Sequence, residues 1–119
     1  GVVGWTDWNI LLDERGGPNH VQNFCFAPIH ANTKTGALTY TPTYYYIGHF
    51  SKFIKPGALR VSTTTSRTAI ESTSVKNKSG KMVTVVMNKT EAKIGYKLIV
   101  GESETLIEIP PRAMQTIVY

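Results

Sequence analysis

The sequence predicts a mainly β protein whose second half is an antiparallel β-sandwich, preceded by an aromatic helix. Two observations carry that expectation. Past residue 57 the chain breaks into short stretches rich in alternating and β-branched residues: ALRVSTTTS, AIESTSVKN, KMVTVVMN, AKIGYKLIV, ETLIEIP and AMQTIVY. Turn chemistry separates several of them, with NKSGK at 77–81, NKTE at 88–91 and GES at 101–103. Regular short strands with such turns suit a sandwich or barrel, although five or six are few for two closed sheets.

Before residue 57 the pattern is different. The opening VVGW reads as the end of a buried strand, with Asp7 and Asn9 at its C-terminal lip. Residues 10–39 show little periodicity, and GGPN (16–19) and KTG (34–36) are turn sequences. A loop of this length inside a compact domain is expected to be functional or disordered. In TPTYYYIGHFSKFIKPG, Thr41 stands where a helix cap belongs, Pro42 at the first helical position, and Pro56-Gly57 as the stop. Tyr46, Phe50, Phe53 and Ile54, widened by Ile47, form one apolar stripe at helical spacing. So dense a face calls for a large packing partner.

Composition narrows the function classes. A chain of 119 residues, 41% hydrophobic, can bury a real core in one domain. No apolar run approaches the length of a membrane span, and GVVGWTDWN has neither the basic leader nor the apolar stretch of a signal peptide. The net charge of +5 comes from lysines and arginines spread along the chain. Without a coherent run interleaved with aromatics they read as a solvated face, and no nucleic-acid partner is expected. Cys25 is the only cysteine, so an internal disulfide is excluded.

Few constellations offer chemistry. Glycoside hydrolysis needs two carboxyl groups about 5–5.5 Å apart for retention or about 6.5–9.5 Å apart for inversion. Of the eight acidic residues, only Asp7 with Asp13 or Glu14 lies near the tryptophans, and a strand-end aspartate serves equally well as a structural acceptor. His20, His30 and His49 match no compact metal motif, and no metal or cofactor is expected. Cys25, between Phe24 and Phe26, reads as a buried thiol. The sequons Asn77-Lys78-Ser79 and Asn88-Lys89-Thr90 fall in predicted turns, where the asparagines serve either as turn residues or as glycan acceptors in a eukaryotic secretory route.

GWTDWN, GGPNHVQNF, APIHA, YYYIGHFSKFIKPGALRV and VVMNKT, in that order, resemble the C-terminal part of glycoside hydrolase family 30, the family of glucosylceramidase (acid β-glucosidase) and related bacterial β-glycosidases. The likeness runs through nearly the whole chain and is strongest over residues 3–61. It implies a remnant of a (β/α)8 barrel over residues 1–56, comprising the last strand, an active-site loop and the last helix. A β-sandwich domain would then fill 57–119.

The family's catalytic glutamates sit at the ends of barrel strands four and seven, which the resemblance places upstream of Gly1. The chain alone is therefore expected to be inactive and to contribute no catalytic residue. What carries over is a substrate-lining set: Trp8 stacking on the sugar, Asn23 as a loop amide beside it, Trp5 and Asp7 shaping the wall, and Phe24 at its edge. The implied partners are a β-linked sugar or glycoside and the missing barrel and N-terminal strands of the same protein. His20 stands where glucosylceramidase has an aromatic residue, and Cys25-Phe26 departs from its loop, which leaves the aglycone open. The compartment stays open between secreted, periplasmic and lysosomal. The alternative reading is a stand-alone β-sandwich module that binds carbohydrate or steadies a partner domain.

Overall fold

In the computed structural model the described residues are 2–17 and 19–119. The chain is mainly β and divides into two compact units, Gly1–Ile47 and Gly48–Tyr119. The boundary falls inside α1 (Pro42–Ser51), the one α-helix among the described residues.

The first unit differs from its sequence reading at both ends. Residues 2–9 form no strand, and Val3, Trp5 and Trp8 stand open to solvent; Gly1, the first residue of the expected strand, lies outside the described residues. A lone strand has nothing to satisfy its backbone groups, so VVGW stays irregular where no neighbouring strand pairs with it. Residues 10–39, read as loop, instead contain a three-stranded sheet of β1 (Leu11–Asp13), β2 (Ile29–Ala31) and β3 (Leu38–Tyr40). β1 runs parallel to β2, and β3 pairs antiparallel with β2. Each strand is three residues long, too short for alternation to show in sequence. The β2–β3 turn is legible chemistry: Asn32 Oδ1 accepts from Lys34 N and Thr35 N, and Gly36 takes φ 74°.

The helix begins at Pro42 as expected, but Thr41 does not cap it with its side chain. Its hydroxyl lies 3.2 and 3.1 Å from the Ala27 and Pro28 carbonyl oxygens, tying the helix start to the loop before β2. Regular helix ends at Ser51, and the next turn tightens as Phe53 N and Ile54 N both donate to the Phe50 carbonyl. Gly57, at φ 81°, then reverses the chain. Tyr46 and Phe50 of the apolar stripe remain exposed, and no helix residue is buried.

The second unit is the expected sandwich. One layer is the four-stranded sheet β4-β5-β6-β9, from Leu59–Val61, Ile70–Lys76, Met82–Asn88 and Met114–Val118. The other is the hairpin of β7 (Ile94–Val100) and β8 (Ser103–Ile109). All pairings are antiparallel, and the register sets Ile70 opposite Asn88, Thr84 opposite Ile117 and Ile94 opposite Ile109. Alternation therefore places Ile70, Val86 and Ile117 on the face toward the hairpin. There they form the core with Ile109, joined by Ile94, Tyr96 and Ala113.

On the reverse face Val83 and Val85 are buried, and the end of α1 is tied to that face. Thr116 Oγ1 lies 2.9 Å from His49 Nδ1 and donates to the His49 carbonyl at 3.2 Å. The hydroxyl thus accepts from an Nδ1–H tautomer.

Two asparagines fix the ends of β6. Asn88, 1% exposed, donates through Nδ2 to the Ala92 and Pro110 carbonyls at 2.8 Å each, and its Oδ1 accepts from Thr90 N and Thr90 Oγ1. Asn77 accepts from Lys55 N and donates to the Phe53 carbonyl, joining the β5–β6 turn to the end of the helix. These are the two sequon asparagines. In the folded chain Asn88 spends its oxygen and both N–H groups on internal hydrogen bonds, which leaves none for a glycan, whereas Asn77 uses its oxygen and one N–H.

Candidate substrate-lining site

The residues the resemblance implicates fall into two local groups. In the first, Asp7 Oδ1 accepts from Trp8 N at 2.8 Å, an exposed local turn. Trp5 and Trp8 are 79% and 60% solvent-exposed, so flat apolar surface stands open at both. In the second, Asn23 and Phe24 ride a loop closed by a two-residue antiparallel bridge between Gly17 and Cys25. Gly16 makes the closure possible. It takes φ 78°, and a β-carbon there would lie 2.3 Å from the Cys25 carbonyl oxygen, so only glycine fits. Gln22 also adopts left-handed backbone, at φ 55°, immediately before Asn23. Of the GGPN turn, Pro18 lies outside the described residues.

Chemically the second group is a hydrogen-bonding edge beside an aromatic. Asn23 Oδ1 accepts from the Cys25 thiol at 3.1 Å, and the Arg15 guanidinium sits 5.5 Å from the centre of the half-exposed Phe24 ring. The thiol is only partly buried, against the buried reading. No hydrogen bond or ring contact among the described residues joins Trp5, Asp7 and Trp8 to Asn23 and Phe24.

The acidic residues near the tryptophans are engaged structurally. Asp13 Oδ1 accepts from Arg15 N at 2.9 Å. Glu14 holds both Thr33 N (2.8 Å) and Thr33 Oγ1 (2.9 Å), and the backbone N–H of Thr33 is the main cause that keeps its carboxyl below the ordinary glutamate value. A carboxylate stabilised in its charged form is poorly suited to act as a general acid.

Sequence reasoning also missed His30. Its Nε2 accepts from Ala27 N at 3.0 Å, and its Nδ1 lies 2.7 Å from the Asp13 carbonyl oxygen, so it bridges β1 to the loop before β2 as a neutral Nδ1–H ring. Only its place beside a Pro-Ile strand start hinted at a packing role. No cluster of three or more histidine, cysteine, aspartate or glutamate side chains suited to a metal occurs among the described residues.

The second unit holds an open cleft of about 1010 Å³ between its two layers. The stretch 62–67 and the length of β7 line it, and on its floor a hydroxyl chain runs from Ser74 through Thr84 to Tyr119, with spacings of 2.8 and 3.0 Å.

Against known proteins, residues 1–54 match the glycosyl hydrolase family 30 TIM-barrel domain, and residues 57–117 match the glycosyl hydrolase family 30 β-sandwich domain. The chain belongs to glycosyl hydrolase family 30. Within that family it is 35% identical over 121 residues to putative glucosylceramidase 3 of Caenorhabditis elegans, covering 99% of this chain and 23% of that protein. It is 40% identical over 94 residues to the lysosomal acid glucosylceramidase of Mus musculus, covering 78% of this chain and 18% of that one.

Among solved structures it is similar to SrfJ from Salmonella typhimurium, with TM-score 0.90 and 32% identity over 95% of this chain and 25% of that one. An endo-β1,6-glucanase aligns with TM-score 0.81 and 26% identity, over 92% and 25%. The chain thus spans about a quarter or less of the family 30 relatives it matches. Its architecture is a barrel-derived segment followed by a mainly antiparallel β-sandwich. No described helix is long and apolar enough to cross a membrane.

Proposed function

We propose that this chain supplies part of the substrate wall and the C-terminal sandwich of a retaining, glucosylceramidase-like β-glycosidase. The supporting observation is the tandem match of both family 30 domains along one chain, barrel segment first and sandwich second. In this reading residues 1–56 come from the barrel and 57–119 form the sandwich domain. Trp8 offers a flat face to the weakly apolar side of a sugar ring, and Asn23 pairs a donor with an acceptor for hydroxyls. Trp5, Asp7 and Phe24 shape the surrounding wall.

The exposed helix stripe and the uncovered tryptophans are the surfaces that the missing barrel strands would cover, and the N-terminal strands would complete the sandwich. The reaction class takes two carboxyl groups about 5–5.5 Å apart. In this reading both belong to the rest of the barrel, and the chain alone is inactive. The experiment is an assay of the 119-residue chain on an aryl β-glucoside. No turnover above buffer is expected; turnover removed by Asp7→Asn or Asp13→Asn would replace this reading with a small independent enzyme.

A second reading, a β-sandwich module that binds carbohydrate by itself, draws on the hydroxyl-floored cleft. Saturable oligosaccharide binding to the chain, abolished by Thr84→Val and untouched by Trp8→Ala, would favour it.

A further inference from the structure

Residues 35–51 contain no lysine, arginine, aspartate or glutamate, and eight of the twelve residues from 35 to 46 are threonine or tyrosine. The fold gathers three of these tyrosines into one cluster within the first unit. Tyr40 ends β3, opposite Ile29 in the ladder, and Tyr44 and Tyr45 stand at the start of α1. The Tyr40 and Tyr44 ring centres are 4.8 Å apart with their planes inclined at 60°, and those of Tyr44 and Tyr45 are 5.4 Å apart at 87°. Edge-to-face contacts of this kind are a favoured geometry for aromatic pairs, so a strand and a helix together hold the cluster in shape.

All three tyrosines are nevertheless exposed, Tyr45 most at 59%. Among the described residues, none of their hydroxyls has a hydrogen-bond partner in the chain. Helical spacing also sets Tyr44 and Tyr45 apart from the apolar stripe. At 100° per residue, each lies more than about 110° from the centre of the face formed by Tyr46, Ile47 and Phe50. A partner that covers the stripe, as the rest of a barrel would, therefore leaves Tyr44 and Tyr45 open.

We propose that Tyr40, Tyr44 and Tyr45 form a second carbohydrate-binding surface, which takes a neutral glycan chain. A phenol ring offers a flat face to the weakly apolar C–H side of a sugar, and its hydroxyl offers a donor and an acceptor to sugar hydroxyls. The absence of formal charge across 35–51 matches a ligand without charge. Nucleic acids and anionic headgroups are instead held by lysine and arginine. The inclined planes turn successive ring faces in different directions, which suits consecutive sugars of a twisted chain. The ligand class rests on the glycosidase reading above, whereas the surface is argued from the tyrosines themselves. Such a surface keeps a polymeric substrate on the protein between turnovers.

The test is affinity electrophoresis of the 119-residue chain, run towards the cathode in native gels with and without laminarin, a neutral β-glucan. Laminarin should retard the chain. Tyr44→Ala with Tyr45→Ala should weaken binding about ten-fold, because two stacking rings are lost, with the far-ultraviolet circular dichroism unchanged. Tyr44→Phe with Tyr45→Phe keeps the rings and loses only the hydroxyls, and should bind with intermediate strength. In the unaltered chain, laminarin should shift the nuclear magnetic resonance signals of the Tyr40, Tyr44 and Tyr45 rings and leave those of Tyr96 in place. No retardation of the unaltered chain, or equal retardation of the alanine pair, would overturn the proposal. Ring shifts at Tyr96 and Tyr119 with the three tyrosines unmoved would overturn it in favour of the cleft. Retardation lost in Trp8→Ala but kept in the alanine pair would overturn it and leave the substrate wall as the binding surface. The glycosidase reading fails separately, through turnover in the aryl β-glucoside assay.

Discussion

Replacing Asn88 with alanine should be the most damaging single change in the sandwich, although the residue carries no apolar bulk. Its carboxamide is fully buried and makes two donations, to the Ala92 and Pro110 carbonyls, and two acceptances, from Thr90 N and Thr90 Oγ1. The segments held are the end of β6, the β6–β7 turn and the β8–β9 turn. One side chain therefore fixes where the hairpin layer meets the four-stranded sheet, next to the buried Ile109.

Alanine leaves the Pro110 carbonyl and the Thr90 N–H without their partner, while the Thr90 hydroxyl still reaches the Ala92 carbonyl at 3.1 Å. Each group left unsatisfied in the interior costs about 1–3 kcal/mol, and water entering at the turn side recovers part, so the net loss should be about 3 kcal/mol. With an m-value of about 2 kcal/mol per molar urea, the midpoint should fall by about 1.5 M. Asn88→Asp should be no milder, because a carboxylate would face the two carbonyls without a proton to donate. Urea denaturation followed by far-ultraviolet circular dichroism measures both. A midpoint shift below about 0.4 M for Asn88→Ala would refute the assignment of Asn88 as the tie between the layers.

Other consequences follow from the first unit. Gly16→Ala should cost more than the about 1 kcal/mol of an ordinary glycine-to-alanine strain, since the new methyl meets the Cys25 carbonyl; faster amide exchange at Gly17 and Cys25 would register it. The Glu14 carboxyl has its folded value depressed, so its contribution to stability is present above the unfolded value near 4.5 and is lost as pH falls through the folded value. Protection of the Thr33 amide should therefore decline below about pH 4.5, and Glu14→Gln should flatten that dependence. Trp8→Ala should move the urea midpoint by no more than the equivalent of about 0.5 kcal/mol, because the indole is mostly exposed and the role proposed for it is ligand contact.

Legibility in the sequence tracked element length and the locality of the contacts. β5 to β9 are five to seven residues long and stand between turn sequences, so alternation and turn chemistry revealed them. β1 to β3 are three residues each, and the parallel β1–β2 pairing joins residues eighteen apart, which no local pattern announces. Thr41 was in the right place for a cap, yet its hydroxyl found carbonyls thirteen and fourteen residues earlier. The long-range roles of Glu14, His30 and Asn88 were hidden for the same reason: each binds backbone groups whose positions depend on the completed fold. Asn77 likewise gave no local sign that it draws the end of the helix to the β5–β6 turn.

The central claim, that the chain forms a sugar-binding wall without the carboxylates that do the chemistry, meets its most direct test in covalent labelling. A mechanism-based β-glucosyl inhibitor traps the nucleophile of a retaining glycosidase as a stable ester. Incubated with such a reagent, the 119-residue chain should keep its intact mass. A gain of one glycosyl unit, mapped to Asp7, Asp13 or Glu14, would contradict the account.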